Sequence, residues 1–456
     1  MLAMRRLGPG VLALALVLIA PGRASADLVV RGVHDGSLAL GAKGKPYVAY
    51  VRGNKLVVAT RVAGHRWRSE VADNVSAGSQ IMALEVGKAG PVAVVLSGDN
   101  RRLTLVRRRV PGWQSIRLST KLGRDGSLGW PGLVLDRAGL PVVAYTRWNS
   151  VSHKSQLLLS RLNVRGRVQT IRITAEGFPQ SYVAPPAEPV LVGSRVHVIE
   201  SYGYRGTVAT FEWFPNKRTW TGLGLDAGYG DFPLGAVFGG IGPDGHLHAA
   251  WTESMIPLGD APVTLVTRGR IADSIFVLDR ALTTGLALPR SGPEVAANEW
   301  VSPDDLGLSG QKYLWAGTIV RGESKIELDG WLAGLAVAPR SGRDILLGGP
   351  AGLAWYRSPS RLATKVTIEA ADNGAGAVDV SGRVGGVGSG KVKIYRERPG
   401  EARVHIGTVS ISAGAFSFVD SGAPPDRPTL YRAVYTDPRT GIPYAALLRT
   451  PVGESS

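Results

Sequence analysis

Eleven residues carry the chemistry this sequence could offer a ligand: His34, Asp35, Arg52, Trp130, Arg147, Trp148, Tyr182, Tyr202, Asp231, Glu253 and Trp300. Aromatic rings stack on flat apolar faces, a guanidinium fork grips carboxylate or phosphate, and carboxylates accept from hydroxyls. A mixture of these suits a sugar or an anionic polymer. Cleaving a glycosidic bond asks for more, namely two facing carboxyl groups with one pKa raised, and Asp35, Asp231 and Glu253 are the acids that could serve. Metal chemistry is poorly provided for. His246 and His248 alternate along one segment with no third ligand at a suitable spacing, so they read as a pair flanking a turn. Asp304 and Asp305 lack the spacing of a calcium loop. With no cysteine in the chain there is neither a thiolate site nor a disulfide. No metal and no cofactor are expected.

These residues are placed by a recurring unit. The stretch SLALGAKGKPYVAY (Ser37–Tyr50) returns as LVLDRAGLPVVAY (Leu133–Tyr145), as GIGPDGHLHAAW (Gly240–Trp251) and more loosely as LEVGKAGPVAVVL (Leu84–Leu96). Each reads as strand, Gly-containing turn, strand. Aligned on the turn, Pro46, Pro91, Pro141, Arg195 and His246 follow at intervals of 45, 50, 54 and 51 residues. A third strand follows most units, then a fourth opened by Trp67, Trp113 or Trp220, side chains expected to pack between neighbouring sheets. Four short antiparallel strands repeated at this period predict an all-β chain, a six- or seven-bladed β-propeller. The eleven residues fall near the loops entering each first strand and those joining second to third, which surround one mouth of such a ring.

The strand–DxxGxP–strand–strand–W-strand wording over residues 28–358 resembles the secreted bacterial propellers of the sialidase-like, BNR-repeat type. The resemblance implies a tyrosine nucleophile with an arginine cluster on the substrate carboxylate, roles open to Tyr202 or Tyr204 with Arg52 and Arg147. The chain departs from that pattern, however. The Ser-x-Asp-x-Gly-x-Thr-Trp box is missing, its nearest counterpart Ser97-Gly98-Asp99-Asn100 lacks both Gly and Trp, and no Arg-Ile-Pro motif is present. A non-catalytic binding or adhesion protein is therefore expected, with a sialidase-like glycoside-acting enzyme as the alternative.

The remaining organisation is read as follows. Residues 1–26 form a secretory signal peptide: Arg5 and Arg6, an apolar run Val11–Ala20, and the small residues Ala24-Ser25-Ala26. Residues 27–360 are the propeller, and LVVRGV (Leu28–Val33) is a spare strand expected to complete the last blade near Asp344–Tyr356, leaving no open edge. Past His246 the rhythm degrades, and Ala281–Trp300 reads as more loop than strand. Ser358-Pro359-Ser360 reads as a linker, and residues 361–456 as seven strands of a small Ig-like β-sandwich. A secreted, extracellular monomer follows, with no integral membrane segment after signal cleavage.

Charge is unevenly spread. The whole chain is +17. Residues 27–172 hold 24 Lys/Arg against 8 Asp/Glu, whereas residues 173–362 hold 15 against 19. Arg101, Arg102, Arg107, Arg108 and Arg109 mark the two ends of one strand. Such a field attracts a glycan or an anionic surface polymer. Nucleic acid is not an expected partner, since the chain reads as secreted and carries no recognition motif.

Overall fold

The computed structural model describes residues 27–62, 66–118, 122–174, 184–202, 207–214, 219–225, 232–254, 263–267, 274–278, 280–301, 314–322, 324–337, 342–358, 362, 364–398, 401–423, 429–448 and 452. Within 201–235 and 253–277 most of that description is of the backbone alone. Apart from one 3₁₀ turn at Ala42–Gly44, the regular structure described is all β. Among the described residues no helix is long and apolar enough to cross a membrane.

Seven antiparallel sheets succeed one another along the chain among the described residues, each built from consecutive strands. Sheet 1 holds Ser37–Leu40, Pro46–Arg52, Lys55–Val62 and Arg66–Asn74. Sheet 2 holds Gln80–Gly87, Gly90–Leu96, Leu103–Arg109 and Gly112–Arg117. In sheet 3 both Gly126–Leu128 and Gly132–Leu135 pair with Pro141–Asn149, followed by Ser155–Leu162 and Val168–Arg172. Sheet 4 holds Ala187–Val192, Arg195–Tyr202, Thr207–Phe214 and Thr219–Leu225. Sheet 5 holds Phe232–Ile241, Leu247–Ser254, Val263–Thr267 and Ser274–Leu278. Sheet 6 holds Ala281–Ala287, Glu294–Val301, Leu314–Arg321 and Ser324–Leu328. Sheet 7 holds Trp331–Val337, Arg343–Gly349 and Gly352–Ser358.

Local chemistry explains the recurrent hairpin. Asp136 Oδ1 accepts from the amides of Ala138 and Leu140, both at 2.9 Å, and Gly139 takes φ +75°, a conformation that side chains disfavour. Asp244 and Gly245 repeat the device, and the Asp244 carboxylate also meets His248 Nε2 at 3.2 Å. His246 thus belongs to the turn, and His248 to the strand that follows it. Second strands are apolar on both faces because a sheet packs on each side. Val48 and Tyr50 face sheet 7, while Ala49 faces sheet 2. The expected tryptophan position is filled as anticipated: Trp67 meets Trp355 of sheet 7 edge-on at 5.9 Å.

The first strand of each sheet packs against the first strand of the next, and that of sheet 7 returns to that of sheet 1. Closure is made by the N-terminal strand Asp27–Val30, which pairs antiparallel with Gly352–Ser358 in the register Asp27↔Trp355 and Leu28↔Ala354. The location is the one expected, and the strand overlaps the expected Leu28–Val33 at Leu28–Val30, with Arg31–Val33 outside it. The segment Ala281–Trp300, read as loop, instead supplies the first two strands of sheet 6. Its alternation of Ala, Thr, Leu and Gly has little β-propensity. Ala281, Thr283 and Ala287 are nevertheless buried between sheets.

The C-terminal seven strands match those expected: Val366–Asp372, Val378–Val384, Ser389–Glu397, Val404–Ser412, Ala415–Asp420, Leu430–Thr436 and Pro443–Leu447. Val366–Asp372 folds back over the last two, enclosing Val380, Val392, Ile394, Phe416 and Tyr431. The unit does not hang free. Pro443–Leu447 pairs with the outer strand of sheet 6 at Glu327↔Ala445 and Leu328↔Tyr444. Arg403 binds Asp329 at 2.5 and 3.1 Å, and Arg432 bridges Glu397 (2.5 Å) and the Trp315 carbonyl (2.9 Å). Of the expected linker, Ser358 ends a strand of sheet 7, and residues 359–360 lie outside the described residues.

Candidate functional site

At the end of the ring where the chain enters each first strand, two adjoining cavities share Asp35, Gly36 and Ile81. The first, about 370 Å³, is lined among others by His34, Asp35, Arg52, Ser79 and Gln80. The second, about 170 Å³, lies over the ring centre and is lined by Asp35, Met82, Trp130, Phe238, Thr284 and Trp331. Sheets 1, 2, 3, 5, 6 and 7 all contribute to these walls.

The 32–36 segment is seated by backbone. His34 Nδ1 meets the Gly349 carbonyl at 2.9 Å, and the Gly36 amide donates to Asp35 Oδ1 at 2.8 Å. Gly348 lies under His34 so closely that a Cβ there would stand 2.0 Å from the His34 carbonyl oxygen, so only glycine fits. Crowding in the wall raises the Asp35 pKa by desolvation, which the Gly36 amide only partly offsets. Trp130 is 39% exposed and lines the second cavity together with Asp35. Trp331 is backed by Trp315 at 5.1 Å, and Trp315 by Trp300 at 5.3 Å.

The sequence-expected residues therefore separate into groups. His34, Asp35, Arg52 and Trp130 converge on the paired cavities. Trp300 sits within a strand rather than a loop and packs on Trp315, behind Trp331. Arg147 and Trp148 line a different cavity at the same end of sheet 3. Tyr182 and Asp231 lie outside the described residues, and for Tyr202 and Glu253 only the strand backbone is described.

Three carboxyl groups went unselected because they lie inside strands. Glu85 and Glu188 stand on the first strands of sheets 2 and 4, either side of the first strand of sheet 3. Gly132 leaves the room that Glu188 Oε2 occupies, since a Cβ there would fall 1.8 Å from it. Desolvation pushes Glu85 up to about 7. Glu188 is driven well above the usual carboxylate range, first by desolvation and then by the charge of Glu85. Glu200 is fully buried with neither oxygen hydrogen-bonded. It occupies the place that sheets 1, 3 and 5 give to Tyr50, Tyr145 and Trp251, and burial raises its pKa to about 8. A Glu within MALEVG or AEPVLV, an acid interrupting an otherwise apolar strand, is the signal that could have found the first two. Among the described residues no three His, Asp or Glu side chains are grouped to hold a metal ion.

No protein-family model matches the chain, and no curated protein resembles it significantly. Solved structures that resemble it include the alpha-L-arabinanase of Penicillium chrysogenum complexed with arabinobiose, at 12% identity and TM-score 0.41, covering 60% of this chain and 91% of that one. The GH93 alpha-L-arabinofuranosidase of Fusarium graminearum aligns at 11% identity and TM-score 0.40 over 65% and 97% of the two chains. A Hadza microbial sialidase aligns at 13% identity and TM-score 0.38 over 71% and 65%. Likeness this weak leaves fold and function to be argued from the chain's own residues.

Proposed function

We propose that this chain is a secreted, extracellular carbohydrate-binding protein: a seven-bladed β-propeller over residues 27–360 with an Ig-like sandwich over 361–456, acting as a monomer after loss of residues 1–26. The carrying observation is the convergence of His34, Asp35, Arg52 and Trp130 on two adjoining cavities at one mouth of the ring. An exposed indole in one cavity and a guanidinium in the next, with Asp35 lining both, offer a stacking face and several hydrogen bonds, as a neutral or acidic sugar requires. The site is non-catalytic on this reading. Screening the secreted protein against plant, bacterial and host glycans tests it, with Trp130→Ala and Asp35→Asn as variants. Binding to a glycan that falls at least about ten-fold in both variants is expected, since each loses roughly 1.4 kcal/mol or more of contact. Absence of any glycan ligand, or unchanged affinity in both, would sink the proposal.

One observation favours a second reading. Desolvation raises Glu85 to about 7 and Glu188 well above the usual carboxylate range, the latter also through the charge of Glu85, and a raised carboxyl is what an acid acting on a glycoside needs. Hydrolysis of aryl glycosides that is abolished in both Glu85→Gln and Glu188→Gln would establish the enzyme. Turnover that survives both changes would dismiss those groups.

A further inference from the structure

We propose that the end of the ring opposite the mouth, where sheets 1, 2 and 3 turn, docks on an anionic lipid bilayer through apolar hairpin tips set among cations. The mouth then points away from the membrane, and the proposal holds whatever the mouth binds. Each of these sheets makes two turns at this end, an inner one between its first and second strands and an outer one between its third and fourth. The outer turns repeat one design. Val110 tips sheet 2 and Val164 tips sheet 3, and at 94% and 81% exposed they are the most exposed large apolar side chains among the described residues. Val62, also exposed, ends the third strand of sheet 1, and residues 63–65 of that turn lie outside the described residues. Exposed arginines accompany all three valines: Arg66 in sheet 1, Arg109 in sheet 2, Arg165 and Arg167 in sheet 3. One exposed valine is ordinary, but the same residue at the same turn of three adjacent sheets makes a surface.

The inner turns add Lys43, Lys45, Lys88 and Arg137, all exposed. Of the 8 Asp and Glu in residues 27–172, only Asp136 stands in any of these turns. It is bound by Arg161 at 2.6 Å and by the amides of its own turn. The mouth end of the same sheets differs, since its cations are mixed with Asp35, Asp73, Asp99 and Asp125. The turns of the three sheets adjoin. A Cβ on Gly41 would stand 3.0 Å from Val86, and one on Gly87 2.8 Å from Leu135, so the inner turns touch from sheet to sheet. Further out, Arg108 of sheet 2 pairs with Glu70 of sheet 1, and Arg107 Nη2 lies 3.0 Å from where a Cβ on Gly166 of sheet 3 would be. Cations so gathered draw this end toward anionic headgroups. A soluble polyanion would use the cations and leave the valines in water. A bilayer takes both, because its headgroup boundary also removes apolar side chains from water.

The test uses the full mature chain with vesicles of equal parts phosphatidylcholine and phosphatidylglycerol. Pure phosphatidylcholine vesicles and soluble dextran sulfate are the comparisons. Vesicle binding is read by co-sedimentation and dextran sulfate binding by calorimetry. The chain should bind the anionic vesicles at least about ten-fold tighter than the neutral ones, and less tightly as salt screens the exposed charges over about 8–10 Å. Val110→Ser with Val164→Ser should weaken vesicle binding at least about five-fold and shift dextran sulfate binding less than about two-fold. Arg109→Gln with Arg165→Gln and Arg167→Gln should weaken vesicle binding at least about ten-fold. These are exposed side chains, whose replacement leaves folding intact. Two controls should each shift vesicle binding less than about two-fold: Val151→Ser, exposed at the mouth end of sheet 3, and Arg383→Gln with Lys391→Gln and Lys393→Gln in the C-terminal unit. Because the chain has no cysteine, Val164→Cys can carry an environment-sensitive fluorophore. Its emission should move to the blue on anionic vesicles and stay in place on dextran sulfate. No binding to anionic vesicles, equal binding to neutral ones, or a loss in either control as large as in the turn variants overturns the proposal. Valine variants that bind vesicles like the parent, while the arginine variant loses vesicles and dextran sulfate alike, would make a soluble polyanion the partner and overturn the bilayer.

Discussion

The ion pair between sheets 6 and 7 gives the sharpest test of how the ring is held together. Arg343 is 1% exposed and meets Glu294 with both arms of its guanidinium, Nε at 2.5 Å and Nη2 at 2.6 Å. Glu294 is 4% exposed. Changing Arg343 to Ala leaves the carboxylate buried without its counter-charge, which costs about 3–5 kcal/mol. Unfolding entropy near 2.1 cal/mol/K per residue over roughly 330 residues of ring gives about 0.7 kcal/mol per degree. The melting temperature should therefore fall by about 4–7 °C, measured by calorimetry at neutral pH. The double change Arg343→Met with Glu294→Leu removes both charges and keeps the volume. It should cost less than the single change, since a buried pair is often matched by apolar packing. An Arg343→Ala shift under about 1 °C, or a double variant equal to the sum of the singles, would refute the reasoning.

Three further outcomes follow from the same coordinates. Deleting Asp27–Val30 removes the outer strand of sheet 7, the burial of Val29 and Val30, and the 2.8 Å ion pair of Asp27 with Arg61. A loss of about 3 kcal/mol or more is expected from the two valines alone, read in a urea melt, and a deletion that melts like the parent would contradict ring closure. Glu200, with its folded pKa near 8 against an ordinary value of 4.5, stays protonated in the native state over a range where the unfolded chain ionises. Its contribution is thus fully retained below about pH 4.5 and lost as pH rises toward 8. Glu200→Gln should flatten that decline by a few kcal/mol at most, and a pH profile identical to the parent's would show the carboxyl to be solvated. Arg403→Ala removes two of the bonds that tie the C-terminal unit to sheet 6; limited proteolysis between residues 358 and 364 should quicken at least about two-fold, and unchanged cleavage would mean that the strand pairing and the Arg432 contacts hold the dock without it.

The repeated turn could be read from sequence because its determinants are local. Asp136 and Gly139 fix the hairpin within four residues, and Trp67 marks the fourth strand by its size alone. The spare Leu28–Val33 strand could be matched to its partner since a ring with one strand missing has only one place to put it. Sheet 6 escaped because Ala281–Ala287 is a strand by virtue of what packs on it, not by propensity. Nothing in the local sequence sets Arg343 apart from the chain's other arginines, and Glu294, 49 positions earlier, makes it part of the core. The site was half legible for a related reason. Searching loops found Asp35 and Trp130 but excluded Glu85 and Glu188, whose strands turn an edge to the ring axis. It also credited Trp300 with a loop position that the strand Glu294–Val301 occupies.

The two ends of the described chain solve the same physical problem in different places. An unpaired sheet edge invites other strands, and a ring of separate sheets exposes an outer edge on each. Asp27–Val30 becomes the outer edge of sheet 7, short and anchored at Asp27 by Arg61. Pro443–Leu447 covers the outer edge of sheet 6 and carries the C-terminal unit with it. These are neighbouring sheets, joined further by the buried Arg343–Glu294 pair. The C-terminal unit approaches from the rim, and among the described residues none beyond Ala333 lines either mouth cavity. It therefore bears on the mouth cavities by bracing sheets 6 and 7 under Trp331 and Gly348, and not by lining them.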